Sequence, residues 1–198
     1  GSRNLSIATP RKGTAVKQTP VFQGRKVMES RAKLFGHAIH PILIVYPLGL
    51  LSTAVVFDVI YLITGNSTWV TVSFWMIAAG IVGGLMAAVF GLIDFLNIPS
   101  GTRAKSIGLL HGLTNVGVMA LFAVSWVLRN GAPEPPTVAL ALSFIGVGAA
   151  FLGGWLGGEL VERLGVGVAE DAHLNAPNSL THSNAKDVRL GDEHPRHA

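Results

Sequence analysis

The chain has 198 residues, 49% of them hydrophobic and only 13% charged, with 24 glycines and a mean hydropathy of +0.49. That charged share is about half of what a soluble domain carries, which places the chain in the membrane class. The absence of cysteine excludes disulfides, thiolate zinc sites and thiolate-held iron–sulfur clusters. The formal charge of +4 does not mark a nucleic-acid binder, because eight of the fifteen Lys and Arg precede the first apolar run.

Residues 1–33 form a polar, basic amino-terminal segment with no signal-peptide pattern, and its end, Val21 to Phe35, is expected to form an interfacial amphipathic helix. The membrane domain follows over 34–168. Its four apolar runs are expected at 41–63, 70–95, 107–128 and 137–160, each long enough for a bilayer that needs roughly 20 helical residues. The joints TGNST, NIPSGTRAKS and RNGAPEPP are turn-rich and short, so consecutive helices run antiparallel. The fold class expected is all-α, an integral membrane up-down four-helix transmembrane bundle. From 169 to 198 the chain is polar, is expected to be a disordered tail, and carries scattered histidines without metal-site spacing.

Lys and Arg crowd the amino-terminal flank and the second joint (Arg103, Lys105) and are absent from the first joint. Both termini are therefore expected in the cytoplasm and the protein in the inner cell membrane, with Trp69 and Trp126 as interfacial aromatics at the opposite face.

Ionisable residues inside spans are costly and point to function. His37 and His40 open span 1, Asp94 closes span 2, His111 opens span 3 and Glu159 closes span 4. Because the helices alternate in direction, all five fall at one membrane face, the cytoplasmic one in this orientation. The stripe Gly80, Gly84, Ala87, Gly91, Asp94 and the stripe Gly108, His111, Gly112, Asn115, Met119 turn these side chains toward close-packing partners. Glu159 lies off the small face of span 4 and fits the headgroup level beside Glu162 and Arg163.

Asp58 lies eighteen residues after His40, and Arg129 eighteen after His111. Eighteen residues make five turns, so each pair shares a helix face about 27 Å apart. Superposing the histidines thus superposes Asp58 on Arg129, and superposing the terminal acids pairs Asp94 with Glu159. The pattern is that of a parallel repeat of two hairpins, with Asp58 and Arg129 as a candidate ion pair near the outer face.

Imidazoles with carboxylates suit a transition-metal ion, and two facing histidines suit haem b. His40 and His111 are the candidate haem or metal ligands, His37 and Asp94 candidate further metal ligands, and Asn115 and Glu159 supporting residues. The same groups could pass protons or form a structural hydrogen-bond network. No catalytic nucleophile or substrate pocket is indicated, so the chain leans away from being an enzyme.

The stretch G36-H37-A38-I39-H40-P41 with Pro47-Leu48-Gly49 and Asp58 resembles a bacterial four-span membrane family, the domain-of-unknown-function family numbered 2231. The likeness runs on through Gly91 to Asp94, His111 and Asn115 and ends in G157-G158-E159-L160-V161 and G165-V166-G167-V168. Ala38 stands where the family usually has proline, and Leu164 where many members have histidine. The resemblance implies the four-span fold and, through members fused to Rieske-type iron–sulfur domains, a redox-associated setting with a Rieske-type partner. Three functions follow in order: a small redox-associated or metal- or haem-binding membrane protein; a non-enzymatic structural or assembly subunit of a larger membrane complex; and a proton or small-solute carrier, acting as a homo-oligomer.

Overall fold

A computed structural model describes residues 27–174, 176 and 178–180. Most of the basic amino-terminal segment and the end of the polar tail lie outside the described residues. The chain forms a short hairpin, β1 (Lys33–Leu34) and β2 (His37–Ala38), and then α1 (Ile39–Leu43), α2 (Val45–Thr64), α3 (Thr68–Asn97), α4 (Arg103–Arg129) and α5 (Thr137–Gly158). A π-helical turn, Glu159–Arg163, extends α5. With α1 and α2 taken together, four helices are long and apolar enough to cross a membrane. They pack as a four-helix bundle, closest within the hairpins α2–α3 and α4–α5.

Local chemistry sets the boundaries. Pro41 falls in the first turn of α1, where its missing N–H costs no helical bond. Pro47 cannot donate to the carbonyl of Leu43, and the helix breaks at Ile44 between α1 and α2. Gly65, in the left-handed region at φ +66°, ends α2 by donating to the Tyr61 carbonyl at 2.8 Å. The Thr102 hydroxyl accepts from the Lys105 N–H at 3.1 Å and starts α4. Asn130 and Gly131, both at positive φ, end α4.

The bundle is built inside out relative to a soluble domain. Large apolar side chains such as Leu62, Trp75, Leu85, Val116 and Phe151 are exposed around its outside, as a lipid solvent allows. Glycines bring the helices together: a Cβ at Gly80 would lie 2.6 Å from Leu51, and one at Gly146 would lie 2.8 Å from Phe122. Between the two ends, Leu51, Ala54, Val55, Ile77, Val118 and Phe122 form the apolar core. Trp126 packs against that core and stacks on Phe74 at 5.3 Å.

The two hairpins repeat the same contacts. Gly80–Leu51 in the first corresponds to Gly146–Phe122 in the second, and Gly91–His40 to Gly157–His111. The correspondence is 71 positions on the first helix of each hairpin and 66 on the second, as the residue numbers give. This corrects the superposition of Asp94 on Glu159: in the packed register Asp94 corresponds to Leu160, and Glu159 to Ile93. The two acids lie beyond the last glycine contacts, where packing no longer enforces the repeat.

Residues 27–35 contain no helix, only extended stretches interrupted by a bend at Arg31–Ala32 and a turn at Phe35, so the described part of the expected interfacial helix is not helical. Met28 donates to the Gly165 carbonyl at 2.9 Å and accepts from the Gly167 N–H at 2.7 Å. The closing G-V-G-V motif thus holds the segment that leads into α1.

Candidate functional site

His40 and His111 meet at the end of the bundle where α1 and α4 begin. Their ring centroids are 6.3 Å apart, with planes 86° from parallel. Each ring lies over a glycine of its own hairpin, where a Cβ would come within 2.8 Å of His40 at Gly91 and 3.2 Å of His111 at Gly157. Each also bonds a backbone carbonyl of that hairpin through Nδ1: His40 to Ala87 at 2.8 Å and His111 to Gly153 at 3.0 Å. A carbonyl only accepts, so Nδ1 carries the proton in both rings. The Nε2 atoms are left as lone pairs whenever the rings are neutral.

Asn115 lies one turn above His111 and donates to its carbonyl at 2.8 Å. Its amide nitrogen is 3.4 Å from Nδ1 and 3.3 Å from Nε2 of the His111 ring. This near-equal spacing puts the amide over the ring face and not along the Nε2 lone pair. The Asn115 amide is in turn seated against Gly153, where a Cβ would lie 2.9 Å from Oδ1.

The other candidate ligands are placed elsewhere. His37 is exposed on β2, with Nδ1 3.1 Å from the Phe35 carbonyl. Asp94, one turn beyond Gly91, turns to the incoming chain: its two oxygens accept from the Ser30 hydroxyl at 2.7 and 2.9 Å, and Oδ1 accepts from the Arg31 N–H at 3.0 Å. Glu159 pairs with Arg103 at 2.6 Å. Among the described residues no group of three or more His, Cys, Asp or Glu is arranged to hold a metal ion. Of the expected set His37, His40, Asp94 and His111, the rings of His40 and His111 lie beside each other. Asp94 is engaged by Ser30, which comes from a segment outside the bundle, and His37 is exposed beside the Phe35 carbonyl.

At the opposite end Asp58 and Arg129 are both fully buried and form a two-pronged ion pair, Nη1 to Oδ1 at 2.7 Å and Nη2 to Oδ2 at 2.6 Å. The remaining guanidinium donors are taken by serines: Nη1 by Ser73 at 3.2 Å, Nη2 by Ser143 at 3.0 Å and Nε by Ser125 at 3.3 Å. All five N–H groups of the arginine are used, by partners from every span. The serines also satisfy one another, with Ser125 2.8 Å from Ser143 and 2.6 Å from the Ala139 carbonyl. None of these serines stood out in the sequence. Their signal is depth, since Ser73 and Ser143 each fall about one and a half turns from the ends of their helices nearest Asp58 and Arg129.

Four antiparallel apolar helices in which, among the described residues, charge is buried only as a satisfied pair define a four-span α-helical membrane protein. The chain belongs to the family described as predicted membrane protein (DUF2231), whose profile matches residues 36–170. No curated protein and no solved structure matches the chain.

Proposed function

We propose that this protein is a small redox-associated membrane protein whose metal centre, haem b in first place and a single transition-metal ion in second, is held between His40 and His111. One observation supports this above the rest: both Nδ1 atoms are committed to carbonyls, leaving two Nε2 lone pairs in a half-buried, mostly apolar setting with no aligned protein donor among the described residues. Such an anchored imidazole is the usual arrangement of a metal-bound histidine. Two imidazoles bound to one metal from opposite sides at about 2.0–2.1 Å each hold their centroids roughly 6 Å apart, close to the 6.3 Å found. With only two protein ligands, haem iron is the better match, because the porphyrin supplies the other four. In this reading His40 and His111 would hold the metal through Nε2, the carbonyls of Ala87 and Gly153 orient the two rings, and Asn115 covers one face of the His111 ring. When bound, the haem supplies a one-electron couple.

In this reading the histidine end faces the cytoplasm at the inner membrane, with both termini inside. Arg103 and Lys105 lie there, whereas Arg129, the one basic residue at the other end, is internal and neutralised by Asp58. A Rieske-type partner remains a proposal from the family likeness.

The test is an absorbance spectrum and metal analysis of protein purified gently in detergent, before and after incubation with haemin. The expected result is one Soret-absorbing haem per chain, lost in His40→Ala and in His111→Ala, while His37→Ala retains it. A single bound metal ion with the same histidine dependence selects the second form. Colourless, metal-free protein that takes up neither haemin nor metal ions overturns both.

A further inference from the structure

We infer that the Asp58–Arg129 fork is a register lock that sets the spacing of the histidine pair from the far end of the bundle. The inference rests on the metal-centre reading only for what that spacing serves.

Both pairs bridge the same seam. Within each hairpin, α2–α3 and α4–α5 are packed closely, with glycines admitting Leu51 and Phe122, and each histidine is bonded to the second helix of its own hairpin. Each hairpin therefore moves as a unit. The two hairpins touch each other less, and their apolar contacts are non-directional. His40 and His111 face each other across that seam at one end, and Asp58 and Arg129 do so at the other. Both pairs join equivalent positions, 71 apart.

A two-pronged carboxylate–guanidinium pair fixes angle as well as distance. With bonds of 2.6 and 2.7 Å, an axial slip of one residue, about 1.5 Å, breaks the fork. The serines from α3, α4 and α5 hold the guanidinium plane from the remaining sides, so it cannot follow such a slip. An arginine with every donor occupied has none left for a solute. The network therefore suits a lock and not a transport site.

The chain has no cysteine, so paired spin labels can be placed without background. Val45 and Val116 occupy equivalent positions near the histidine end, and both face outward, at 61% and 66% exposure. Labels on Val45→Cys/Val116→Cys, measured by pulsed electron resonance in nanodiscs, report the seam directly. Arg129→Lys keeps the charge but loses the fork, and is expected to shift or broaden the label distance by about 1.5 Å or more while helicity by circular dichroism is unchanged. Val70→Ala trims buried packing at the same end but leaves the fork and its serines, and is expected to keep the parent distance. An unchanged distance in folded Arg129→Lys overturns the lock, as does an equal shift in Val70→Ala, which would make generic packing the cause. The labels read the seam with or without metal. Wild-type protein that binds no metal thus defeats the metal centre alone, and an unmoved label distance defeats the lock alone.

Discussion

Breaking the buried pair by one partner should cost far more than removing both. Asp58→Asn leaves a guanidinium in the bundle without its counter-charge, and Arg129→Gln leaves a bare carboxylate, at sites that are 0% exposed. Orphaning one member of a buried ion pair costs about 3–5 kcal/mol, a large share of the 5–15 kcal/mol typical of a folded domain. The double variant Asp58→Asn/Arg129→Gln carries no buried charge and should be much less damaged than the sum of the singles, with a coupling energy of about 2–3 kcal/mol. Replacing the pair with apolar groups, Asp58→Leu/Arg129→Met, removes the desolvation cost as well and should lie close to wild type in stability. Ser125 and Ser143 keep each other and the Ala139 carbonyl as partners, while Ser73 gives up its bond to the guanidinium. Equilibrium unfolding in mixed micelles with rising SDS, followed by tryptophan fluorescence, gives all four free energies. Single variants that each cost under about 1 kcal/mol and simply add would place the pair in contact with water and refute the buried, five-donor network.

Gly91→Ala should destabilise the protein by about 1–3 kcal/mol, since its methyl would sit 2.8 Å from the His40 ring and force it off the Ala87 carbonyl. Gly158→Ala meets nothing within 4 Å and should be neutral or gain up to about 1 kcal/mol of helix propensity in the same unfolding assay. Ser30→Ala should loosen the segment that Asp94 holds and raise proteolysis near Arg31, while the spectrum of any bound centre stays at the His40–His111 pair. The hydrogen bond from Lys33, and then that from the Glu170 N–H, hold the Glu29 carboxyl below its ordinary value of 4.5. Its contribution to the tie between Met28 and the closing motif is therefore complete above that value and lost as pH falls through the depressed one. The protection of the Gly167 amide, its exchange taken relative to the intrinsic rate at each pH, should fall in acid accordingly, and Glu29→Gln should flatten that dependence.

The spans were readable because an apolar run of bilayer length, flanked by turn residues, leaves little choice of structure. The depth of each ionisable group was readable by parity, and the eighteen-residue spacing from each histidine to its distant charge was readable because five helical turns close on themselves. Contacts made by chain outside the helices were not. Asp94 lies on the same stripe as Gly84, Ala87 and Gly91, but Ser30 claims its carboxylate from a fold-back that no periodicity announces. The non-helical run at 27–35 owes its form to Gly165 and Gly167, more than 130 residues later in the chain. A segment whose hydrogen bonds are supplied from that distance carries no local signal, and its amphipathic look favoured a helix. The missing helical bond beside Ile44 was legible in Pro47, which has no N–H to donate, while the bonds on either side carry α1 into α2 as one span.

The departures from the repeat carry as much meaning as the repeat itself. In a symmetric pair of identical hairpins, position 58 would face its own copy, and two aspartates or two arginines would be buried against each other. Joining both hairpins in one chain permits opposite charges at equivalent places, and Asp58 with Arg129 uses that freedom. The cage follows the same logic: the positions equivalent to Ser125, Ser143 and Ser73 are Ala54, Ile77 and Ala139, all apolar. At the other end the identity is kept, histidine facing histidine, each on a glycine and each bonded to a carbonyl. Identical side chains from two sides suit the proposed centre between the hairpins, and complementary charges suit an end that holds itself together by an ion pair. The bundle is thus symmetric where the proposed metal would bind and asymmetric where only the protein must hold itself in register.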